Sequence, residues 1–176
     1  EIPANLVAAD AAFYAKGVVA YREKSDITPD IAVIIGGPNK CSTMTADWMK
    51  RELDKIFAEP GKKAVTTSRR TPSEVEQLVD GYPWDYKLIY SRDRFNPIPA
   101  FVKLASKLYV TAESTGMLSE ACTFGSAEVI ALDNLNPGRH KFRRFVEDLR
   151  KGGYVGGNRK VDLSAQFARA KTLMGL

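Results

Sequence analysis

Residues 110–125 combine the groups that a nucleotide-diphosphate site requires. They read Val-Thr-Ala-Glu-Ser-Thr-Gly-Met-Leu-Ser-Glu-Ala-Cys-Thr-Phe-Gly. Ser114 or Thr115 can cap a helix that begins near Gly116, where a glycine lets a ligand approach the backbone closely. The free N–H groups of such a helix start suit a phosphate, and the Glu120 carboxylate, inside the helix, can accept hydrogen bonds from sugar hydroxyls. An ordinary capped strand–helix unit with a surface glutamate fits the same residues.

Five short apolar runs alternate with helical segments, and this alternation predicts a parallel sheet with helices on both faces. The predicted strands are residues 31–35, 63–68, 87–90, 108–111 and 127–132. The predicted helices are residues 4–24, a segment from Thr43 or Thr45 to Ala58, one that opens at Thr71-Pro72, residues 99–107, the segment around Glu120, residues 142–149 and residues 161–174. We therefore expect an α/β fold, a Rossmann-like three-layer α/β/α sandwich whose mainly parallel sheet has about five to six strands.

Sheets of this kind bind ligands outside the carboxyl ends of their strands, and several polar residues and glycines follow predicted strands. The candidates for binding a nucleotide and its phosphates are Gly36, Gly37, Ser68, Arg69, Asn96, Ser114, Thr115, Gly116, Met117 and Glu120. The pair Arg69-Arg70 suits phosphate because a guanidinium can donate two parallel hydrogen bonds. Taken singly, the glycines fit a tight turn, the arginines a solvent-exposed pair, and Asn96-Pro97 a turn. Their coincidence at strand ends favours a pocket.

Three further stretches carry a family resemblance: Ile-Ala-Val-Ile-Ile-Gly-Gly-Pro at 31–38, Val-Thr-Thr-Ser-Arg-Arg-Thr-Pro at 65–72, and Asn96-Pro97. In this order and spacing they resemble the bacterial and plant "elongated mitochondria" family, also called the mitochondrial-fission domain family. The resemblance runs from about residue 31 to residue 149. That family is similar to GT-B glycosyltransferases, and this segment resembles their C-terminal, donor-nucleotide-binding domain.

The segment Met117-Leu-Ser-Glu-Ala121 with Gly125 resembles a Ser-Glu plus downstream Gly pattern in the enzymes that transfer N-acetylglucosamine to lipid-linked muropeptide. There the Glu holds the ribose, a role that the resemblance gives to Glu120. Two positions depart from the pattern. The family would have Asp where this chain has Glu113. Its commoner four-residue sequence, a small residue followed by Gly, a basic residue and Pro, is replaced here by Phe124-Gly-Ser-Ala127.

The resemblance implies a donor nucleotide-sugar-binding domain of a GT-B-type glycosyltransferase. The nucleotide-diphospho-sugar would be its substrate, with no further cofactor and no metal. No catalytic residue is identified, because in GT-B enzymes the base commonly comes from the other domain, so this chain alone should bind rather than turn over. The alternative is a non-catalytic interaction module of the fission-adaptor type with a vestigial nucleotide site, because the plant relatives are associated with recruiting fission machinery to mitochondria.

Length and cysteine content set the domain organisation and compartment that we expect. The 176 residues suffice for one domain, and the chain starts at Glu1 without an initiator Met. We expect a fragment of a longer two-domain protein, with residues 1–176 forming one Rossmann-like domain and 151–176 a C-terminal loop and helix. No apolar stretch approaches the roughly 20 residues of a membrane span. Cys41 and Cys122 suggest neither a disulfide framework nor a metal site, which fits a reducing, cytoplasmic location. Cys122 is expected to pack rather than react.

Positive charge is concentrated at the C-terminal end. Residues 138–176 carry ten Lys/Arg against three Asp/Glu, a net charge of +7, whereas residues 1–137 carry sixteen against eighteen, a net charge of −2. A solvated helical face fits this pattern, and so does contact with an anionic membrane surface, a lipid-linked acceptor or an acidic partner. Nucleic acid is not expected, since no recognition motif or aromatic interleaving accompanies the charge.

Overall fold

The computed structural model describes residues 11–162, 169–170 and 172–173. Within residues 11–162 the chain forms six helices and five strands, in the alternating order that the sequence predicts. The helices are α1 (Ala11–Arg22), α2 (Ala46–Ala58), α3 (Ser73–Asp80), α4 (Ile98–Leu104), α5 (Thr115–Phe124) and α6 (Lys141–Lys151). The strands are β1 (Ile31–Ile34), β2 (Lys63–Thr66), β3 (Tyr86–Leu88), β4 (Lys107–Thr111) and β5 (Glu128–Leu132). No helix in this described part of the chain is long and apolar enough to cross a bilayer.

The five strands form one parallel sheet in the order β3-β2-β1-β4-β5. β1 lies in the middle, and its first residue, Ile31, is level with Lys63 of β2 and Lys107 of β4. All four β1 residues are buried, as expected for a strand covered on both faces. The prediction of a Rossmann-like α/β fold is thereby confirmed, with five strands.

Helices cover both faces of the sheet and enclose two separate hydrophobic cores. Successive residues of β1 point to opposite faces, so Ala32 and Ile34 belong to one core while Ile31 and Val33 belong to the other. The first core packs α1, α4, α5 and α6 against the sheet, and the second packs α2 and α3. The chain is therefore a three-layer α/β/α sandwich, with α2 and α3 on one side and α1, α4, α5 and α6 on the other.

Several element ends differ from prediction because hydrogen bonds outside the element take over. The helix predicted over 99–107 ends at Leu104, because the N–H groups of Ser106 and Lys107 both donate to Asp30 O and start β4 beside β1. The strand predicted over 63–68 ends at Thr66, because the Ser68 N–H donates to Thr71 Oγ1 at 2.9 Å and not to a neighbouring strand.

The two terminal helices are described only in part. α1 ends at Arg22, and residues 4–10 of the predicted helix lie outside the described residues. Residues 161–162 are not helical, whereas 169–170 and 172–173 are, and the rest of the predicted helix over 161–174 lies outside the described part. Residues 152–157 form the predicted glycine loop.

Candidate functional site

The strand order reverses between β1 and β4. The chain first runs outward from β1 through β2 to β3, and then returns to the other side of β1 to form β4 and β5. The helices that follow β1 and β4 consequently pack on opposite faces, α2 in one core and α5 in the other. Open α/β sheets bind ligands in the crevice that such a reversal creates at the carboxyl ends of the strands. The loops after β1 and β4 are therefore the expected binding edge.

A carboxylate from the protein itself spans this crevice. Glu113, just after β4, is buried, and its Oε1 accepts the Gly37 N–H at 2.8 Å and the Thr111 hydroxyl at 3.0 Å. Thr111 Oγ1 in turn accepts the Gly36 N–H at 2.9 Å. The side chains of Thr111 and Glu113 thus join the carboxyl ends of β1 and β4 by hydrogen bonds.

The environment of Glu113 favours its neutral form. Burial raises the pKa of this carboxyl above its ordinary value, and the neighbouring Asn134 amide, the Thr111 hydroxyl and the Gly37 N–H offset only part of that effect. Although Asn134 lies beside Glu113, neither Glu113 Oε2 nor either polar atom of the Asn134 side chain has a partner at hydrogen-bonding distance. Glu113 Oε2 and both polar atoms of the Asn134 side chain are therefore buried without direct protein partners.

The two glycines after β1 are required by the protein's own packing. A Cβ atom added at Gly36 would lie 2.1 Å from Glu113 Oε1, and one added at Gly37 would lie 2.2 Å from the Arg70 carbonyl oxygen. Both distances are far below van der Waals contact. The groups that approach these glycines closely belong to Glu113 and to the loop after β2.

The loop between β1 and α2 continues across the sheet edge. It forms an antiparallel bridge between Ser42 and Leu135, and the Thr43 N–H donates to Asn134 O at 3.0 Å. Because β4 lies between β1 and β5 in the sheet, this loop passes over the end of β4. Beside it is a cavity of about 240 Å³. Its lining residues are Thr43, Thr45, Trp48, Asp133, Asn134, Leu135, Asn136 and Pro137.

The first turn of α5 presents free donors next to the crevice. Ser114 occupies the N-cap position, but its side chain makes no capping hydrogen bond. The N–H groups of Thr115, Gly116 and Met117 have no partner among the described residues, as is usual for a first helical turn. These three residues are partly exposed, so their N–H groups lie at a surface that an anion can reach.

Glu120 lies one turn further along α5 and is partly buried. Its Oε2 accepts a hydrogen bond of 3.1 Å from the hydroxyl of Tyr14 on α1. Burial raises the pKa of the Glu120 carboxyl, and the hydrogen bond from Tyr14 partly offsets that rise. Glu120 Oε1 makes no hydrogen bond to the described residues, so one carboxylate oxygen is held and the other is available.

The loop after β2 is tied to the loop after β1. Thr71 Oγ1 donates to Gly36 O at 2.6 Å and accepts the Ser68 N–H at 2.9 Å. Arg69 is exposed and has no ion-pair partner among the described residues. Ser68 and Arg69 therefore lie at the same edge as Gly36 and Gly37, with the Arg69 guanidinium free to bind an anion.

Asn96 lies at the end of the loop between β3 and α4. Its Oδ1 accepts the Ile98 N–H at 3.1 Å, which caps the start of α4. This contact gives Asn96 a local structural role. Its role in ligand binding stays a prediction.

Four residues that matter at this edge were absent from the predicted site: Thr71, Glu113, Asn134 and Tyr14. Glu113 stood out in the sequence only as a departure from the family pattern. Tyr14 lies 106 positions before its partner Glu120, a separation that no local motif can reveal.

Cys122 shows no sign of reactivity. Cys122 is fully buried, burial raises the pKa of its thiol to about 11, and its Sγ contacts Tyr154 O. A thiol with a raised pKa is a poor nucleophile, so the expectation of a packing role agrees with its environment. Within the described residues no group of His, Cys, Asp and Glu side chains could hold a metal ion.

Comparison with known proteins identifies the family. The model of the family "Mitochondrial fission ELM1" matches residues 8–167. The chain is 29% identical over 133 residues to the Arabidopsis thaliana "Mitochondrial fission protein ELM1". That match covers 72% of this chain and 30% of the plant protein, so the chain spans about a third of its relative's length. No solved structure matches significantly. The chain therefore belongs to the mitochondrial fission ELM1 family.

Proposed function

We propose that this chain is the donor nucleotide-sugar-binding domain of a GT-B-type glycosyltransferase. The observation that carries the proposal is the first turn of α5, which offers three unpaired N–H groups at the point where the strand order reverses. Those groups, at Thr115, Gly116 and Met117, would bind the diphosphate together with the helix dipole. Arg69, exposed after β2, would add a bidentate contact to the same charge.

The remaining parts of the donor would extend away from the diphosphate on both sides. Glu120 would accept hydrogen bonds from the ribose hydroxyls through its free Oε1. The cavity beside the loop after β5 is lined by threonine hydroxyls, carboxamides and the indole of Trp48, a combination that suits a sugar ring. Its volume of about 240 Å³ is below the roughly 300–1,000 Å³ of drug-sized pockets, which limits it to a small group.

We further propose that the domain acts in the cytoplasm and reaches a lipid-linked acceptor at a membrane. The exposed basic face of α6 would hold it against anionic lipid. The catalytic base would come from a part of the protein outside this chain, as the resemblance to GT-B enzymes implies, so the chain alone would bind a donor without transferring its sugar.

A second candidate is a non-catalytic interaction module with a vestigial nucleotide site. It is favoured by the fact that protein groups already engage both carboxylates near the expected site. Glu113 binds the Gly37 N–H inside the crevice, and Glu120 binds Tyr14. The name of the plant relative, a mitochondrial fission protein, fits this function as well.

Calorimetric titration distinguishes the two functions. UDP, GDP, ADP and CDP would each be titrated into the chain up to millimolar concentration, with the matching nucleoside monophosphate as control. Binding of one diphosphate in preference to its monophosphate supports the donor site, because the α5 turn must contact the second phosphate. Absence of heat from every diphosphate overturns the donor-site proposal for this domain and favours the interaction module.

A further inference from the structure

We propose that Tyr14 of α1 is a positioning residue for the nucleotide site, because its hydroxyl holds the Glu120 carboxylate so that one oxygen faces the ligand. The inference rests on the proposed function and adds to it a residue that precedes the motifs at 31–38, 65–72 and 96–97. Tyr14 precedes β1, whereas the other site residues lie on loops and helices that follow strands.

The Tyr14 side chain is fixed on several sides. It is fully buried, and its ring stacks on Phe124 at the end of α5 with a centroid separation of 4.8 Å. Lys103 Nζ lies 5.5 Å from the centre of the same ring and donates to Phe124 O at 2.7 Å. A buried tyrosine needs a partner for its hydroxyl, and Glu120 Oε2 supplies it at 3.1 Å.

The hydrogen bond makes the two oxygens of Glu120 unequal. Oε2 is held by a ring that is itself immobilised between α1, α4 and α5, while Oε1 has no partner among the described residues. A carboxylate fixed in this way loses little rotational freedom when a ligand hydroxyl binds to the second oxygen, and preorganisation of this kind strengthens binding. In addition, the hydrogen bond that Tyr14 donates favours the ionised form of Glu120, in which both oxygens accept hydrogen bonds.

Tyr14 also determines the pH range in which Glu120 can act. Burial raises the pKa of Glu120, and the Tyr14 hydroxyl is the group that lowers it. Of the nearby cations, Lys103 on α4 contacts the Tyr14 ring and the Phe124 carbonyl rather than the carboxylate. Removing the hydroxyl therefore raises the Glu120 pKa further. Glu120 then becomes protonated at a higher pH, and a protonated carboxyl accepts fewer and weaker hydrogen bonds than the carboxylate does.

The test compares Tyr14→Phe with wild type in two measurements. The first is the titration of the Glu120 carboxyl carbon by ¹³C NMR, with Glu120→Gln to assign the signal. The second is the affinity for the best-bound nucleoside diphosphate between pH 5 and 8. Tyr14→Phe keeps the aromatic ring and its stacking on Phe124, so the fold is retained. Tyr82→Phe is the matched control, because the Tyr82 hydroxyl donates to another carboxylate, Asp54, on the opposite face of the sheet.

We expect the Glu120 titration to move to higher pH in Tyr14→Phe and to stay unchanged in Tyr82→Phe. Nucleotide binding by Tyr14→Phe should be weaker by roughly threefold to tenfold near neutral pH, the size of one hydrogen bond's net contribution. As the pH is lowered, the variant should lose binding at a higher pH than wild type does. An unmoved Glu120 titration, or an affinity and pH profile equal to wild type, overturns the proposal. If no diphosphate binds the wild-type chain but the titration moves, the donor site fails while the control of Glu120 by Tyr14 is upheld.

Discussion

The Glu113 carboxylate accepts the Gly37 N–H at 2.8 Å, so a side chain that follows β4 holds the backbone that follows β1. These two loops border the crevice where sheets of this topology bind their ligands. The carboxylate is buried with one unpartnered oxygen, and the glycine has no room for a side chain. The geometry of the binding edge therefore depends on both residues before any ligand arrives.

Gly37→Ala should destabilise the domain. The added Cβ would lie 2.2 Å from the Arg70 carbonyl oxygen, a backbone atom that cannot move without displacing the loop after β2. Overpacking of this kind typically costs about 1–3 kcal/mol in the free energy of unfolding. Gly81→Ala is the control, since the nearest atom to its Cβ would be 3.4 Å away. Urea unfolding of both variants measures the effect, and equal midpoints for the two would contradict the packing argument.

The buried Glu113 should make the domain less stable as the pH rises. Burial raises the pKa of Glu113 in the folded state, so the folded protein retains the proton more strongly than the unfolded chain does. In the unfolded chain the pKa of a Glu is about 4.3. The stability associated with this proton is present in full below that value and is lost as the pH rises through the folded pKa. Glu113→Gln keeps an acceptor for Gly37 and should remove this slope.

Unfolding in urea at several pH values between 4 and 8 tests the Glu113 argument. The difference in stability between Glu113→Gln and wild type should move in favour of the variant as the pH rises. Glu113→Ala provides the contrast, because it leaves the buried Gly37 N–H unpaired and should be about 1–3 kcal/mol less stable than Glu113→Gln at every pH. If the stability of wild type instead increases relative to that of Glu113→Gln as the pH rises, the folded protein stabilises the carboxylate as an anion, and the argument is contradicted.

The fold was predictable because its signals are local. The central strands are short buried apolar runs, and helix starts such as Thr45, whose hydroxyl accepts the Trp48 N–H at 3.2 Å, are encoded within a few residues. Lys107 shows where such signals fail. Its residue type suits the end of a helix, yet its N–H bonds to Asp30 O and begins β4. Pairing with a distant strand overrides the local preference.

The site was less predictable because its geometry depends on distant pairs. The sequence placed Gly36 and Ser114 at strand ends and Glu120 inside the following helix, and the topology does bring the loops after β1 and β4 together. It could not show that Thr111 and Gly36, 75 positions apart, would be hydrogen bonded. Nor could it show that the Asn96 side chain would accept a hydrogen bond from the Ile98 N–H at the start of α4.

Arg69→Ala and Glu120→Gln should weaken nucleoside-diphosphate binding without unfolding the domain. Each removes a charged contact to the ligand, worth typically about 1.5–3 kcal/mol, or roughly 10- to 100-fold in affinity. Glu120→Gln is preferred to Glu120→Ala, because an amide oxygen still accepts the Tyr14 hydroxyl and alanine would leave it unpaired. Arg69 is exposed, so its truncation should leave the melting temperature nearly unchanged.

Arg51→Ala is the matched control for Arg69. Arg51 is an exposed arginine on the outer side of α2 and makes no ion pair with the described residues, so it differs from Arg69 chiefly in position. Calorimetry for affinity and thermal unfolding for stability are measured on each variant. A variant that binds like wild type has no role in the site, and one that unfolds has a structural role.

The exposed basic residues of α6 should hold the protein at an anionic membrane. Lys141, Arg144 and Lys151 are exposed and make no ion pair with the described residues, whereas Arg143 is held by Asp133 at 2.7 Å. The apolar side of α6 faces the core through Val146, which is fully buried, and this leaves the basic side chains toward solvent. Each basic residue near an anionic bilayer contributes about 1 kcal/mol, which salt screens. Glu147 and Asp148, exposed on the same helix, reduce the attraction.

Co-sedimentation with vesicles measures that attraction. Replacing Lys141, Arg144 and Lys151 together by glutamine should weaken binding to vesicles rich in acidic lipid by up to about 100-fold at low salt, and less at physiological salt. The control replaces three exposed cations elsewhere, Lys40, Arg51 and Lys62, and changes the net charge equally. If both triple variants lose the same affinity, the attraction comes from net charge and not from a face of α6. If wild type partitions equally onto neutral and acidic vesicles, or onto neither, then α6 is a solvated basic helix.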